Sequence, residues 1–215
     1  MDSKFLQLIF PPKCTLCRNL LKKEETDLCR NCRKDGPEFT KSKRNIPFVA
    51  HWTGIWYYKG AVRNSVHRFK FGNARRYAGV YARLLAIKLQ REELENFDII
   101  SWVPIAWPRK FFRGYDQSKL LAIAFSKEWG QKPVAVLRKI RSTPPQSGIP
   151  NAAMRRANVS GAYRALSPEQ FRGKRILLLD DVVTTGATSS ECARTLLTAG
   201  AKEVILATIG VAVHD

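Results

Sequence analysis

The sequence contains no run of the roughly 18 uncharged apolar residues that a membrane-spanning helix requires. Its one early apolar stretch, Phe5 to Phe10, is too short for a secretory signal and follows an acidic Asp2. A soluble, cytoplasmic protein is therefore the expectation. Internal repeats are absent. Acidic residues are scarce as well: 18 Asp and Glu stand against 37 Lys and Arg, a formal net charge of +19. Disorder is excluded in turn, because 45% of the residues are hydrophobic and 10% aromatic, ample apolar surface to offset chain entropy. At 215 residues the chain makes one domain, or one domain with a small appendage, and needs no disulfide staples.

Such an excess of positive charge gathers polyanions, and nucleic acid, an anionic membrane surface or a phosphorylated small molecule are all admissible. Basic residues occur along the whole chain, at Arg63 to Lys70, Arg75 to Arg83, Arg109 to Arg113, Arg138 to Arg141 and Arg155 to Arg156, and a solvated basic face accounts for any one of them. Aromatics lie among these charges, including Phe69, Phe71, Trp107, Phe111, Phe112 and Tyr115. A groove for single-stranded nucleic acid needs such residues for stacking, although burial in a core explains aromatics equally well.

Four of the five cysteines form two pairs, Cys14-x-x-Cys17 and Cys29-x-x-Cys32. Two tight turns at this spacing can present four thiolates tetrahedrally to one Zn²⁺, a structural ribbon or knuckle. A disulfide pair and a redox dithiol are the alternatives. The first is disfavoured in a reducing compartment, the second by the lack of a neighbouring thioredoxin-like strand and helix. The segment holds few aliphatic residues, so metal would supply much of its folding energy. Cys192 falls inside a helical pattern and reads as a small buried hydrophobe.

Residues 37–47 are polar, contain Pro37 and Pro47, and read as a linker. Beyond them, the pattern predicts a strand over Phe48 to Tyr58, basic amphipathic helices at Ala61 to Phe69 and Ala74 to Gln90, and a buried strand over Phe97 to Pro104. Next come a helix from Gln117 to Trp129 and a strand at Pro133 to Leu137. A mobile basic loop, closing with a short helix, is expected from Arg138 to Arg156. The chain ends with a strand at Lys174 to Asp180, a helix from Gly186 to Ala199 and a last strand over Glu203 to Val213. Nearly continuous apolar strands alternating with helices argue for an α/β fold, a parallel sheet with helices on both faces.

The most informative segment is ILLLDDVVTTGATSS, from Ile176 to Ser190, at a strand-to-helix turn. Ligands bind at such carboxyl edges in doubly wound sheets. Gly186 permits a turn that aims backbone N–H groups inward, and the helix N-terminus adds a positive dipole end for a phosphate. Thr184, Thr185 and Thr188 offer hydroxyl donors, while Asp180 and Asp181 can accept from two vicinal ribose hydroxyls. A Thr-capped helix beside two solvated acids is the plainer reading, but the order of acids, threonines and glycine suits a single ligand. The lysine of a nucleoside-triphosphate loop is absent after the glycine.

This segment resembles the signature of type I phosphoribosyltransferases, and the whole chain resembles the ComF family of competence-associated proteins. The family likeness extends through the cysteine pairs, Phe69-Lys70-Phe71-Gly72, VPIAWPRKFFRGYDQ from Val103, and TPPQSGIPNAAMRRANVSGAY from Thr143. It implies a zinc-binding module over 1–36, a linker over 37–47, and a phosphoribosyltransferase-like domain over 48–215 with a five-stranded parallel core. On this likeness Asp180 and Asp181 hold the ribose of phosphoribosyl pyrophosphate, and Val183, Thr184, Thr185, Gly186, Ala187 and Thr188 hold its 5-phosphate. Pro104 and Ile105 occupy the pyrophosphate loop. Arg113, and Arg141, Gln146 and Arg155 of the mobile loop, are the candidates for pyrophosphate contact, with Asp180, Asp181 and Arg141 as the catalytic set. Asp116 stands where relatives carry Asn, which implies repulsion of a nearby pyrophosphate. Mg²⁺ is the implied cofactor beside structural Zn²⁺, and single-stranded DNA and other competence proteins, such as a DNA translocase, are the implied partners. In that chemistry a nitrogen nucleophile displaces pyrophosphate at a sugar carbon with oxocarbenium character. A nucleic-acid-binding module with a non-catalytic sugar-phosphate site is the other reading, and the net charge favours it.

Overall fold

The structure, a computed structural model, describes residues 11–40, 45–144, 149 and 151–212. Its centre is a parallel sheet in the order β1-β6-β5-β2, formed by β1 (His51–Tyr57), β2 (Ile99–Trp102), β5 (Arg175–Val183) and β6 (Glu203–Val211). Strands β5 and β6 pair over their whole lengths, from Arg175 opposite Glu203 to Val183 opposite Val211.

Two-residue periodicity explains why these strands are apolar throughout. Leu177 and Leu179 of β5, with Ile205, Ala207 and Ile209 of β6, point to one face. There they meet α2 (Gly60–Phe71), α3 (Tyr77–Arg91) and α5 (Gln117–Trp129) through Val66, Phe69, Tyr81, Leu85, Leu121 and Phe125. Ile176 and Leu178, with Val204 and Leu206, point to the other face. That face is covered by α7 (Ala187–Thr198), through Cys192, Ala193 and Leu196, and by Phe171 after a short 3-10 turn at Pro168–Gln170. Cys192 is fully buried, as its helical position predicts.

Among the described residues the sheet has four strands, against the five that the family likeness implies. Pro133 to Leu137 was the candidate fifth. Within it Val134 donates one backbone hydrogen bond to Ile100 of β2, at 2.8 Å. Two residues on, Val136 O accepts instead from Leu166 N at 2.9 Å, just beyond β4 (Tyr163–Ala165). The chain then turns into β3 (Leu137–Lys139), which pairs antiparallel with β4 (Tyr163–Ala165) in a separate ribbon. Between them lies α6 (Ala152–Val159), the short helix expected at the end of the basic loop. A helix that the pattern does not predict, α4 (Trp107–Arg113), opens with Pro108 in its first turn and ends at Gly114 with φ 71°.

The N-terminal module is docked on the sheet domain. Cys14, Leu16, Leu28 and Cys29 belong to the same buried cluster as Val62, Val66 and Tyr81. Arg68 of α2 donates to the carbonyls of Thr15 and Leu16, at 3.0 and 2.6 Å, and Ser65 donates to Thr15 O at 2.6 Å. Arg83 of α3 pairs with Asp27 at 2.6 Å. The described part of residues 37–47 packs as well. Phe39 N donates to Ile55 O, Tyr57 N donates to Pro37 O, and Phe39 and Ile46 are buried. Lys88, itself buried, donates to Phe39 O at 2.6 Å and is neutralised by Glu38 and Glu92.

Candidate functional site

Two sites predicted from the sequence take shape in the structure. In the first, the four Sγ atoms of Cys14, Cys17, Cys29 and Cys32 all lie within 4.8 Å of one another. Tetrahedral Zn–S bonds of about 2.3 Å place sulfurs about 3.8 Å apart, and Cys17 Sγ to Cys29 Sγ is 3.6 Å. The donor set and its spacing thus fit a structural Zn²⁺. Cys14 and Cys17 sit on a turn closed by Arg18 N to Cys14 O and permitted by a left-handed Arg18 at φ 70°. The second pair is carried by a short helix, α1 (Arg30–Lys34), which begins immediately after Cys29 and contains Cys32. Only the first of the two expected tight turns is therefore a turn.

The second site is a cleft of about 770 Å³ at the carboxyl edge of the sheet. Asp180 and Asp181 are not beyond β5 but inside its last turns of pleat. Alternation therefore sends them apart. Asp181 faces α2 and α5, where Lys70 Nζ approaches to 2.7 Å and Gln117 Nε2 donates at 2.6 Å. Asp180 has Cys192 of α7 and Tyr163 and Lys139 of the β3–β4 ribbon as neighbours, yet its Oδ1 accepts from Ser118 Oγ at the start of α5 (3.1 Å) and from Asp181 N (2.8 Å), so both acids line the one cleft. Burial, followed by the charge of Asp181, pushes the Asp180 carboxyl up to about 7. Gln117 Oε1 is buried without a hydrogen-bond partner, an acceptor aimed into this polar cluster.

Beyond the acids, the chain leaves β5 and enters α7 through Thr184, Thr185 and Gly186. Gly186 has φ 80°, and a Cβ there would lie 3.0 Å from Ile46 Cγ1. Glycine is needed here on both counts. Thr185 Oγ1 accepts from Ala187 N at 3.4 Å at the helix entry. Val183, Thr184, Thr185, Gly186, Ala187, Thr188 and Ser189 all line the cleft.

Of the other predicted residues, Pro104, Ile105 and Arg113 line the same cleft. Arg113 lies over the Phe71 ring, 4.6 Å from its centroid. Arg141 and Arg155 do not line it. Arg141 is exposed and donates to the carbonyls of Asn158 and Ser160, at 3.2 and 2.8 Å, so its guanidinium braces the end of α6. Arg155 Nε donates to Ile149 O at 2.8 Å. Gln146 lies outside the described residues. Asp116 turns out to be a helix cap: it accepts from Lys119 N at 3.0 Å and from Ile105 N at 3.2 Å. It thereby holds the loop at Ile105 to the start of α5, and its carboxyl is spent on backbone amides rather than aimed at a ligand.

Sequence reasoning missed Lys70, Ser118, Lys139 and Tyr163 as parts of this site. Lys139 donates to Thr143 Oγ1 at 3.0 Å and stands over the Tyr163 ring at 5.1 Å. Burial, and next the charge of Arg109, lower its ammonium to about 8. Arg109 itself donates to Thr143 O. Lys70 had one signal, its place in the Phe69–Gly72 segment that supports the family likeness.

Comparison with known proteins places this geometry. A phosphoribosyl transferase domain model matches residues 117–210 and a double zinc ribbon model matches 5–43. Competence protein F of Haemophilus influenzae is 30% identical over 183 residues, 82% of this chain and 75% of that one. The chain belongs to the competence protein F family. The DNA utilization protein YhgH of Escherichia coli K12 is 33% identical over 147 residues, 65% of this chain and 62% of that protein. Glutamine phosphoribosylpyrophosphate amidotransferase from B. subtilis matches with 22% identity and a TM-score of 0.44, over 66% of this chain and 30% of that one. Against the double ribbon of its family model, this chain has four cysteines before residue 192 and no histidine before His51, ligands enough for one metal ion.

Proposed function

We propose that the cleft binds phosphoribosyl pyrophosphate with Mg²⁺ and that the protein serves the handling of single-stranded DNA in natural competence, in the cytoplasm. The observation that carries the ligand reading is the buried pair Asp180 and Asp181 at the end of β5, opening directly onto the Thr184–Thr188 loop. Two carboxylates in this position accept from vicinal sugar hydroxyls. The glycine turn and the threonines then meet a phosphate at the start of α7. Two adjacent carboxylates are also oxygen donors of the kind Mg²⁺ takes together with substrate phosphates. When bound, the ion would neutralise charge on pyrophosphate as it leaves. Across the cleft, Arg113 and Lys139 face the same charge.

Lys70 and Gln117 engage the two oxygens of Asp181. Ligand hydroxyls must therefore displace or share these donors. Transfer of the phosphoribosyl group to a nitrogen nucleophile is the reaction such a site supports, with the basic loop from Arg138 to Arg156 closing over it. Arg141 and Arg155, which do not line the cleft, reach pyrophosphate only on that closure. Release of pyrophosphate from phosphoribosyl pyrophosphate, assayed with candidate nucleobases, tests this reaction. The Asp180→Asn/Asp181→Asn variant should show none, and unaltered turnover would remove the assignment. The DNA reading rests on the net charge of +19 and on relatives named for competence and DNA utilization.

A further inference from the structure

Helix α4 leaves its largest side chains in solvent. Trp107 is 73% exposed, Phe111 71% and Phe112 88%. Phe71, at the end of α2, is 58% exposed. A folded domain rarely presents so much contiguous aromatic surface without a partner for it. Trp107 and Phe111, one helical turn apart, are stacked on each other, at 22° with centroids 5.6 Å apart, a short stack whose outer ring faces are left to solvent. Phe112 meets Phe111 edge-on at 79° and, with Phe71, lines the cleft. The aromatic strip thus runs from the outer surface into the sugar-phosphate site.

Its charge is of one sign. Arg109, Lys110 and Arg113 share α4 with the aromatics, and Arg63 lies on α2 with Phe71, whereas Arg68 and Lys70 of α2 are engaged on the N-terminal module and on Asp181. Neither helix contains an acid. Aromatic faces interleaved with cations are complementary to a chain whose repeating unit is a flat base and a phosphate. Duplex bases are already stacked on one another, so only a single strand can use such a face. A seven-residue helix is about 10 Å long, enough for roughly three bases at 3.4 Å spacing.

We propose that the aromatic face of α4, Trp107 and Phe111 leading to Phe112 and Phe71, is a stacking platform for single-stranded DNA, which it guides toward the phosphate loop. This rests on the DNA-handling reading above and gives that reading a surface. An interfacial membrane helix has the same composition, but its apolar residues share one outward face. Here the strip turns inward, with Phe71 and Phe112 in the wall of a cleft.

The test uses the full-length, zinc-loaded protein and fluorescence anisotropy with a labelled 20-nucleotide oligo(dT), its duplex, and vesicles rich in phosphatidylglycerol. Stacking loss of about 1–3 kcal/mol per base predicts that Trp107→Ala/Phe111→Ala weakens oligo(dT) binding at least roughly tenfold. The slope of log affinity against log salt should stay the same, because the phosphate contacts remain. Trp107→Phe should restore most of the affinity in a Phe111 background. Trp107 fluorescence should be quenched by oligo(dT), since the other four tryptophans are buried or half-buried. Phosphoribosyl pyrophosphate binding by calorimetry should match wild type in the double variant, neither residue being in the cleft wall. Equal affinity of variant and wild type for oligo(dT) would overturn the platform and leave the DNA reading intact. Absence of oligo(dT) binding by the wild type, with or without vesicle binding, would overturn both. Equal weakening of duplex and single strand would also overturn the platform.

Discussion

Replacing Asp180 by asparagine keeps the shape of the side chain and its acceptor oxygen for Ser118 and for Asp181 N, and removes only the charge. The folded protein holds this carboxyl up to about 7, because burial and then the neighbouring Asp181 disfavour its ionised form. An unfolded chain releases the same proton near the ordinary value of 3.8. Between those two values the native state retains a proton that the unfolded state has lost. Wild-type stability therefore falls as pH rises through this window, and the cost is fully present above about 7. A gap of about three units corresponds to roughly 4 kcal/mol at pH 8, and to somewhat under 2 kcal/mol at pH 5. Asp180→Asn is accordingly expected to be more stable than wild type, by an amount that grows by about 3 kcal/mol between pH 5 and pH 8. Urea unfolding of both proteins at the two pH values measures this directly. A variant less stable than wild type at pH 8, or a difference that does not depend on pH, would refute the reasoning. A confirmed gain would mean that the acid is kept at a cost in stability, as expected of a group held for binding rather than for folding.

Three further outcomes follow from the same geometry. Metal analysis should give close to one Zn²⁺ per chain. Cys29→Ser should lower it and loosen the contacts that Ser65, Arg68 and Arg83 make with the module, read as a drop in Tm; a metal-free protein of equal stability would contradict the site. Gly186→Ala places a Cβ 3.0 Å from Ile46 in a backbone of φ 80°, and should cost roughly 1–2 kcal/mol while weakening phosphate binding; unchanged binding and stability would remove the glycine argument. Arg113→Ala, which takes a cation from the cleft wall, should weaken phosphoribosyl pyrophosphate binding more than Arg141→Ala, whose guanidinium is engaged on the carbonyls of Asn158 and Ser160; the reverse order would show that the basic loop closes further than the present contacts suggest.

Local signals were legible in the sequence, and distant ones were not. The run KRILLLDDVVTTGATSS contains its own strand, turn and helix start, so the acids and the phosphate loop could be found without any other part of the chain. The cysteine spacing likewise specifies its cluster. By contrast, Lys70, Gln117 and Ser118 reach the acids from helices more than 60 residues away, and only packing of α2 and α5 on β5 brings them there. WPRKFFR reads as charge and aromatics without a clean apolar face, because the helix it forms buries none of its residues. The strand expected at Pro133 to Leu137 keeps a single hydrogen bond to β2, from Val134 to Ile100, because the apolar run pairs with the distant β4 segment instead. Asp116 owes its place beside the loop at Ile105 to two backbone partners, Ile105 N and Lys119 N, the first 11 residues away in sequence.

Calorimetric titration of the zinc-loaded protein with phosphoribosyl pyrophosphate and Mg²⁺, alongside Asp180→Asn/Asp181→Asn, tests the sugar-phosphate site most directly. Circular dichroism establishes that both proteins are folded. The site described here predicts saturable one-to-one binding that requires Mg²⁺ in the wild type and is lost in the variant. Wild-type protein that is folded and zinc-loaded yet takes up no phosphoribosyl pyrophosphate, or a variant that binds it as tightly, would contradict the account.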